Sequence, residues 1–156
     1  MININQLAPD FTLHSSDLKV KVALSDLKGK NVLLLFFPQA FTGVCTKELC
    51  SVRDNIALYS NTNAEVLGIS VDSPFTLAKF KEDQGLNFTL LSDFNKEVST
   101  AYHTIYDSFI GWMKGVSKRS AFIVDKEGHI KYAEVLESAG DVPNFESINK
   151  VLAELN

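Results

Sequence analysis

The stretch F-F-P-Q-A-F-T-G-V-C-T-K-E-L-C, which runs from Phe36 to Cys50, decides the fold of this sequence. It holds both cysteines of a chain of 156 residues, and the two lie five positions apart. The continuous apolar run Asn31–Phe37 leads into it, and such a run is typical of a strand buried on both faces. Pro38 ends that strand. We therefore predict a short loop and then a helix that begins near Thr42 or Gly43.

Strand-like and helix-like patterns alternate along the rest of the chain. The strand-like runs are Leu18–Leu24, Glu65–Val71, Arg119–Asp125 and Ile130–Val135. The helical patterns run from Cys45 to Tyr59, from Pro74 to about Gln84, from about Asn95 to His103, and from about Asn144 onward. Buried strands flanked by helices predict an α/β fold. We expect one domain over residues 1–156 with a thioredoxin-like layout, in which helices flank a central mixed sheet with an N-terminal hairpin extension.

Composition and charge exclude several classes of partner. The net charge of −4 and the pI of about 5.3 leave no basic surface for nucleic acid or anionic membranes. The longest apolar run, Val32–Phe37, is far shorter than the roughly 18 residues of a transmembrane helix. The N-terminus lacks the segments of a signal peptide. Two cysteines fit a reducing compartment better than a disulfide scaffold, so we expect a cytoplasmic protein.

Cys45 would fall in the first turn of the helix that follows Pro38. Free backbone N–H groups and the positive end of the helix dipole favour an anion there, and a thiolate is an anion. Thr42 lies three residues earlier, about one turn back, so its hydroxyl can reach the sulfur or whatever the sulfur attacks. The alternative is that Cys45 is a small buried apolar residue and that Thr42 only caps the helix.

Cys50 lies on the same predicted helix as Cys45. Five residues along a helix correspond to about 7.5 Å of rise and about 140° of rotation. A disulfide needs its Cα atoms within roughly 7 Å and converging Cβ vectors, so the two cysteines cannot bond while the helix is intact. Such a pair suits a cycle in which one sulfur is oxidised, the helix opens and the second sulfur condenses with it. The alternative is that Cys50 is an incidental helix residue.

These residues resemble a known family, the peroxiredoxins. The pattern P-x-x-x-T-x-x-C, formed by Pro38, Thr42 and Cys45, is similar to the family's peroxidatic motif, and T-x-E follows with Glu48 in the family's place. The segments A-P-D-F, L-K-G-K, V-L-G-I-S-V-D-S-P, N-F-T-L-L-S-D and R-S-A-F-I-V-D-K-E-G fall in family order. The C-x-x-x-x-C spacing resembles the bacterioferritin-comigratory (PrxQ) subgroup, and F-F-P-x-A-F-T-G resembles the AhpE-type group.

The resemblance implies a role for each residue of the motif. Cys45 would be the peroxidatic thiolate, Thr42 would hydrogen-bond the peroxide, and Pro38 would shield the sulfur from water. Arg119 would place its guanidinium beside the thiolate, and Glu48 would orient Arg119. The residues themselves favour Arg119, because it starts a core strand and its planar, permanently charged donor suits both the sulfur anion and a developing oxyanion. Without the motif, an exposed arginine and a solvated Glu48 are the simpler interpretations.

The implied function is a thiol peroxidase that reduces hydrogen peroxide or organic hydroperoxides without metal, haem or flavin. In the implied cycle, Cys50 resolves the oxidised Cys45 as an intramolecular disulfide, and thioredoxin or a similar dithiol reduces it. Relatives of this kind are monomers or small homodimers. Two alternatives stay open: a one-cysteine peroxidase in which Cys50 is a bystander, and a non-enzymatic redox sensor that uses the same couple.

The sequence gives little support to two other functions, metal binding and dithiol oxidoreductase chemistry. A metal site would use the cysteines with His14, His103 or His129, but no two of these residues have tight metal-ligand spacing. A dithiol oxidoreductase normally carries C-x-x-C at the helix start, whereas C-x-x-x-x-C is found here.

Overall fold

A computed structural model describes residues 1–155 as a seven-stranded sheet with helices on both faces. The strands are β1 (Thr12–Ser15), β2 (Lys21–Ala23), β3 (Asn31–Phe36), β4 (Ala64–Ser70), β5 (Thr89–Ser92), β6 (Ser120–Val124) and β7 (Ile130–Val135). The helices are α1 (Gly43–Asp54), α2 (Ile56–Asn61), α3 (Pro74–Gln84), α4 (Glu97–Ala101) and α5 (Phe145–Glu154).

The sheet is mixed, as predicted. Its strand order is β2-β1-β5-β4-β3-β6-β7, in which β3, β4 and β5 are parallel and the remaining pairs are antiparallel. Every residue of β3 is buried, which explains the unbroken apolar run that follows Asn31. Its side chains alternate between two cores: Leu33 and Leu35 face the cluster that includes Cys45, and Leu34 and Phe36 face the other.

The N-terminal hairpin is present, but the predicted strand Leu18–Leu24 is wrong in its bounds. Only Lys21–Ala23 is extended there, and it pairs with β1, which the sequence patterns did not identify. A turn occupies the preceding residues, because Ser15 Oγ donates to the Asp17 carbonyl at 2.6 Å and Val20 N donates to the same oxygen at 2.9 Å. A short polar turn therefore takes residues that alternation alone assigned to a strand.

The helix predicted from Cys45 to Tyr59 is two helices. It breaks at Asn55, where φ is −119° and the side-chain amide donates to the Ser51 carbonyl at 2.8 Å. Tyr59 stays buried because α2 continues along the same face of the sheet. The predicted helix over residues 95–103 is also shorter, since α4 covers only Glu97–Ala101.

The carboxyl ends of the parallel strands meet at one edge of the sheet. The loop after β3 and the start of α1 lie at this edge. Because β6 runs antiparallel to β3, its first residues, next to Arg119, lie there as well, with Ser120 opposite Phe36. Residues 36–45 and Arg119 are thus brought together by the sheet topology. Among residues 1–155, no helix has the length and apolar character needed to cross a membrane.

Candidate active site

Cys45 occupies the first turn of α1, where the sequence predicted it. The helix begins at Gly43, and Thr42 is its N-cap residue with extended backbone angles. The Cys45 side chain is fully buried and packs with the apolar cluster between α1 and the sheet. The position places its sulfur near the positive end of the helix dipole and near backbone N–H groups that lack partners within the helix.

Arg119 and Glu48 form a buried ion pair beside Cys45. Their side chains are 1% and 0% exposed, and Arg119 Nη1 donates to Glu48 Oε1 at 2.8 Å. Arg119 Nη2 donates to the Ala139 carbonyl at 3.1 Å. Among the described residues, Arg119 Nε and Glu48 Oε2 make no hydrogen bond. The simpler interpretations, an exposed arginine and a solvated glutamate, are therefore wrong.

Burial and proximity shift the ionisation of this pair. Burial raises the pKa of Glu48 to about 7, although the Arg119 charge and hydrogen bond oppose the change. Burial disfavours the charged form of Arg119, but the Cys45 sulfur and the Glu48 carboxylate outweigh it, so the pKa of Arg119 is raised. Arg119 therefore keeps a permanent positive charge within electrostatic reach of Cys45.

Thr42 does not cap α1 with its side chain. Its hydroxyl donates instead to the Gln39 carbonyl at 2.9 Å, which leaves the oxygen lone pairs available as acceptors. Pro38 is buried at the start of the same loop. Phe41, between them, adopts φ of +68° and packs edge-on against Phe80, with ring centroids 5.1 Å apart. The loop is therefore sharply turned before the helix begins.

A small cavity opens beside Cys45. It has a volume of about 250 Å³ and is lined by Pro38, Thr42, Gly43, Val44, Phe109, Arg119, Ala139 and Gly140. Cys45 is buried next to two of these residues, Val44 and Arg119. A second cavity, of about 160 Å³, is lined by Val32 and Val124 at the other edge of the sheet, away from the cysteines. The cavity beside Cys45 is thus the one that joins the predicted site residues.

Sequence reasoning missed three residues that line the cavity. Phe109, Ala139 and Gly140 come from loops far along the chain, and no local pattern relates those loops to Cys45. The backbones of Phe109 and Met113 hydrogen-bond to each other and close a tight turn that contains Trp112. Trp112 is 71% exposed, which excludes its packing in the core.

Cys50 lies one and a half turns further along α1 and faces α3 instead of the cavity. It is half-buried, and its thiol donates to Gln84 Oε1 at 3.5 Å. Arg53 Nη1 donates to the Gln84 carbonyl, and Asn87 Nδ2 donates to the Arg53 carbonyl at 3.2 Å. Both cysteines are free thiols. Because α1 is continuous between them, the helix holds their sulfurs apart.

The structure thus brings together Cys45, Thr42, Pro38, Arg119 and Glu48 and places Cys50 apart from them. In the described part of the chain, no group of three histidine, cysteine, aspartate or glutamate side chains is arranged to hold a metal ion. The five residues grouped around Cys45 can stabilise a sulfur anion at a helix start. They also present hydrogen-bond donors and an acceptor to a small polar molecule in the cavity.

Comparison with known proteins agrees with this chemistry. Residues 4–133 match the model of the AhpC/TSA family. Alkyl hydroperoxide reductase E of Mycobacterium tuberculosis is 38% identical over 158 residues, which cover 99% of this chain and 99% of that protein. Peroxiredoxin Bcp of Escherichia coli is 36% identical over 132 residues, which cover 84% of each chain.

Solved structures share the fold. The crystal structure of peroxidoxin BcpB from Mycobacterium tuberculosis aligns with a TM-score of 0.87 at 27% identity and covers 100% of this chain and 99% of that one. AhpC of Enterococcus faecalis aligns with a TM-score of 0.87 at 27% identity and covers 99% and 92%. These similarities confirm the predicted thioredoxin-like α/β fold.

Proposed function

Because the chain belongs to the AhpC/TSA family and is a peroxiredoxin, a thiol peroxidase, we propose that Cys45 is the residue that attacks the hydroperoxide. The observation that supports this assignment most directly is the position of Cys45 in the first turn of α1, beside Arg119 and the small cavity. In the proposed step, the Cys45 thiolate attacks one oxygen of ROOH. An S–O bond forms, the O–O bond breaks, and the leaving RO⁻ takes up a proton as water or alcohol. Cys45 becomes a sulfenic acid.

The neighbouring residues have separate roles in the proposed step. Arg119 supplies a positive charge to the thiolate and to the oxyanion that develops as the O–O bond breaks. Thr42 accepts a hydrogen bond from the peroxide O–H, because its own proton is donated to the Gln39 carbonyl. Glu48 orients Arg119 through their hydrogen bond, and Pro38 shields the sulfur from bulk water.

The proposed recycling uses Cys50. Its thiol attacks the Cys45 sulfenic acid, an S–S bond forms and water leaves. Because an intact α1 keeps the two sulfurs apart, the first turns of the helix must open before this step. A thioredoxin-like dithiol then reduces the disulfide. The shared helix and the partial exposure of Cys50 support this scheme.

A one-cysteine cycle is the second candidate, and the position of Cys50 favours it. The Cys50 thiol donates to Gln84, and neighbouring bonds fix this part of α1 against α3. If these contacts persist during turnover, an external thiol must reduce the Cys45 sulfenic acid and Cys50 is a bystander.

We also propose that residues 1–156 form one domain that works in the cytoplasm as a monomer or a small homodimer. The sheet extends from β2 at one edge to β7 at the other without interruption, and α5 packs against the same core as Cys45. The two free thiols suit a reducing compartment.

Replacement of each cysteine by serine tests the scheme. Cys45→Ser should abolish hydrogen peroxide reduction, measured with thioredoxin, its reductase and NADPH. Cys50→Ser should still consume one equivalent of peroxide but should lose turnover with thioredoxin. Activity retained by Cys45→Ser would contradict the catalytic assignment, whereas full turnover by Cys50→Ser would favour the one-cysteine cycle.

A further inference from the structure

Asp72 contacts the loop that carries Thr42, although it lies on a different strand end. It follows β4 by two residues and is 8% exposed. Its Oδ2 accepts a hydrogen bond from Ala40 N at 2.8 Å, and this bond is buried. The chain separation of the two residues is 32 positions, so only the parallel pairing of β3 and β4 brings them together.

The Asp72 carboxylate is itself firmly held. Ser70 Oγ donates to the same Oδ2 at 2.6 Å, and Asp72 N donates to Ser70 Oγ at 3.2 Å. Ser92 Oγ, at the end of β5, donates to the Asp72 carbonyl at 2.7 Å. The carboxylate is therefore held by Ser70 at the end of β4, and Ser92 at the end of β5 fixes the backbone that carries it. Asp72 thus presents a fixed acceptor to the loop after β3.

The peptide group that donates a hydrogen bond to Asp72 also accepts one from the Thr42 hydroxyl. The Ala40 N–H and the Gln39 carbonyl belong to one planar peptide unit, so fixing the direction of one fixes the other. Gln39 O accepts from Thr42 Oγ1 at 2.9 Å on the other side of this unit. The hydrogen bonds thus run without a gap from Asp72 through one peptide to Thr42, and hydrogen bonds in such a chain polarise one another.

We infer that Asp72 is a positioning residue, which fixes the Gln39–Ala40 peptide so that the Thr42 hydroxyl donates to it and keeps its lone pairs for the peroxide. The inference rests on the proposed role of Thr42. It also explains how the loop keeps the left-handed conformation of Phe41, which lies between the two bonded residues. Without Asp72, the peptide can turn, and the Thr42 proton is no longer directed away from the substrate.

The test measures two reactions of Cys45 in the full chain carrying Cys50→Ser, so that one thiol reacts. One is its single-turnover oxidation by hydrogen peroxide, and the other is its alkylation by iodoacetamide, which makes no use of Thr42. Asp72→Ala should slow oxidation about tenfold or more, because small misplacements of a positioned group have large kinetic effects. Alkylation should stay unchanged. A wild-type oxidation rate, or an equal fall in both rates, would overturn the inference.

Two further variants separate positioning from a loss of structure. Asp72→Asn keeps the shape and an uncharged acceptor, so its oxidation should be about threefold slower and lie between wild type and Asp72→Ala. A wild-type rate in Asp72→Asn overturns the inference even if Asp72→Ala does not fold. Asp93→Asn is the matched control. Asp93 directly follows β5 and is also buried, but its carboxylate accepts from Val98 N and Ser99 N of α4, so oxidation should not change.

A double variant distinguishes failure of this inference from failure of the proposed role of Thr42. Thr42→Val alone should slow oxidation, and Asp72→Asn added to it should slow oxidation no further. If Thr42→Val oxidises at the wild-type rate, the proposed role of Thr42 fails. If Thr42→Val is slow and Asp72→Asn slows it further by its full factor, Asp72 does not act through Thr42 and the inference fails.

Discussion

At the scale of single residues, the site depends on a charge that is buried together with its partner. Arg119 is almost fully enclosed, and removing a charge from water is unfavourable unless the charge is paired and hydrogen-bonded. Glu48 and the Ala139 carbonyl accept hydrogen bonds from two of its N–H groups. The guanidinium is therefore held in one orientation and can act on the Cys45 sulfur without first rearranging.

Arg119→Lys should slow the oxidation of Cys45 by hydrogen peroxide about a hundredfold. Lysine keeps the charge but cannot contact Glu48, Ala139 and the reacting atoms with one planar group, and loss of one oriented donor has effects of this size. The measurement is a single-turnover rate, with Arg53→Lys as the control because Arg53 lies in the last turn of α1 and does not line the cavity. An unchanged rate in Arg119→Lys would show that charge alone, without the fork of donors, is sufficient.

Glu48 should make the folded protein less stable as the pH rises. Its pKa is raised from 4.5 to about 7, so the folded state binds this proton more tightly than the unfolded chain does. Between pH 4.5 and about pH 7 the free energy of unfolding should fall by up to roughly 3 kcal/mol, and at higher pH it should level off. Urea unfolding of the reduced protein at pH 5 and pH 7.5 measures this difference.

Glu48→Gln should lose that part of the pH dependence, because an amide does not ionise. Glu127→Gln, which removes an exposed carboxylate, should keep it. The same pH dependence in wild type and Glu48→Gln would contradict a buried carboxyl with a raised pKa.

At the scale of elements, α1 has two ends with different surroundings. Its first turn lies beside the cavity and carries Cys45, whereas its later turns are tied to the end of α3 through Gln84. A disulfide between the two cysteines requires the first end to unwind. The contacts of the second end therefore limit how far the helix opens.

Arg53→Ala should speed disulfide formation after peroxide is added, under the proposed two-cysteine cycle. The substitution removes the bond from Arg53 to the Gln84 carbonyl, and one hydrogen bond is worth about 0.5–1.5 kcal/mol. That range corresponds to an increase of roughly 2- to 12-fold if the bond must break before the sulfurs meet. Rapid quenching and mass spectrometry measure the rate, and Lys47→Ala, an exposed residue of the same helix, is the control. No increase in Arg53→Ala would mean that α1 opens without releasing α3.

The elements that the sequence predicted are those whose signals are local. The buried run of β3, the proline after it and the 3- and 4-residue spacing of Cys45, Leu49 and Val52 each lie within one short segment. The strands β1 and β5 have only 4 residues each and show no pattern of that kind. Phe109 and Ala139 could not be predicted as neighbours of Cys45, because only the folded sheet brings their loops to the same edge.

At the scale of the whole molecule, the sheet separates two apolar cores and positions every part of the site. Gly68 in β4 is enclosed by side chains of the core that includes Cys45. A Cβ atom there would lie 2.7 Å from Leu90 Cδ2 and 3.5 Å from Phe37 Cε1. A methyl group at this position therefore requires the Leu90 side chain to shift.

Gly68→Ala should lower the free energy of unfolding by about 1–3 kcal/mol, because overpacking forces neighbouring side chains from their preferred rotamers. Gly43→Ala is the matched control for stability: nothing lies within 4 Å of its added methyl group, and alanine favours the helix that starts there. Urea unfolding measures both variants. Equal stability of Gly68→Ala and wild type would show that this part of the core can relax.

The most direct test of the central claim is the intact mass of the reduced protein, quenched soon after one equivalent of hydrogen peroxide is added. The proposed cycle predicts a rapid loss of two hydrogens, as Cys45 is oxidised and Cys50 closes the disulfide. A gain of one oxygen on Cys45 would keep Cys45 as the attacking residue and contradict the role of Cys50. A mass that stays unchanged over minutes would contradict the claim that Cys45 reacts with the peroxide.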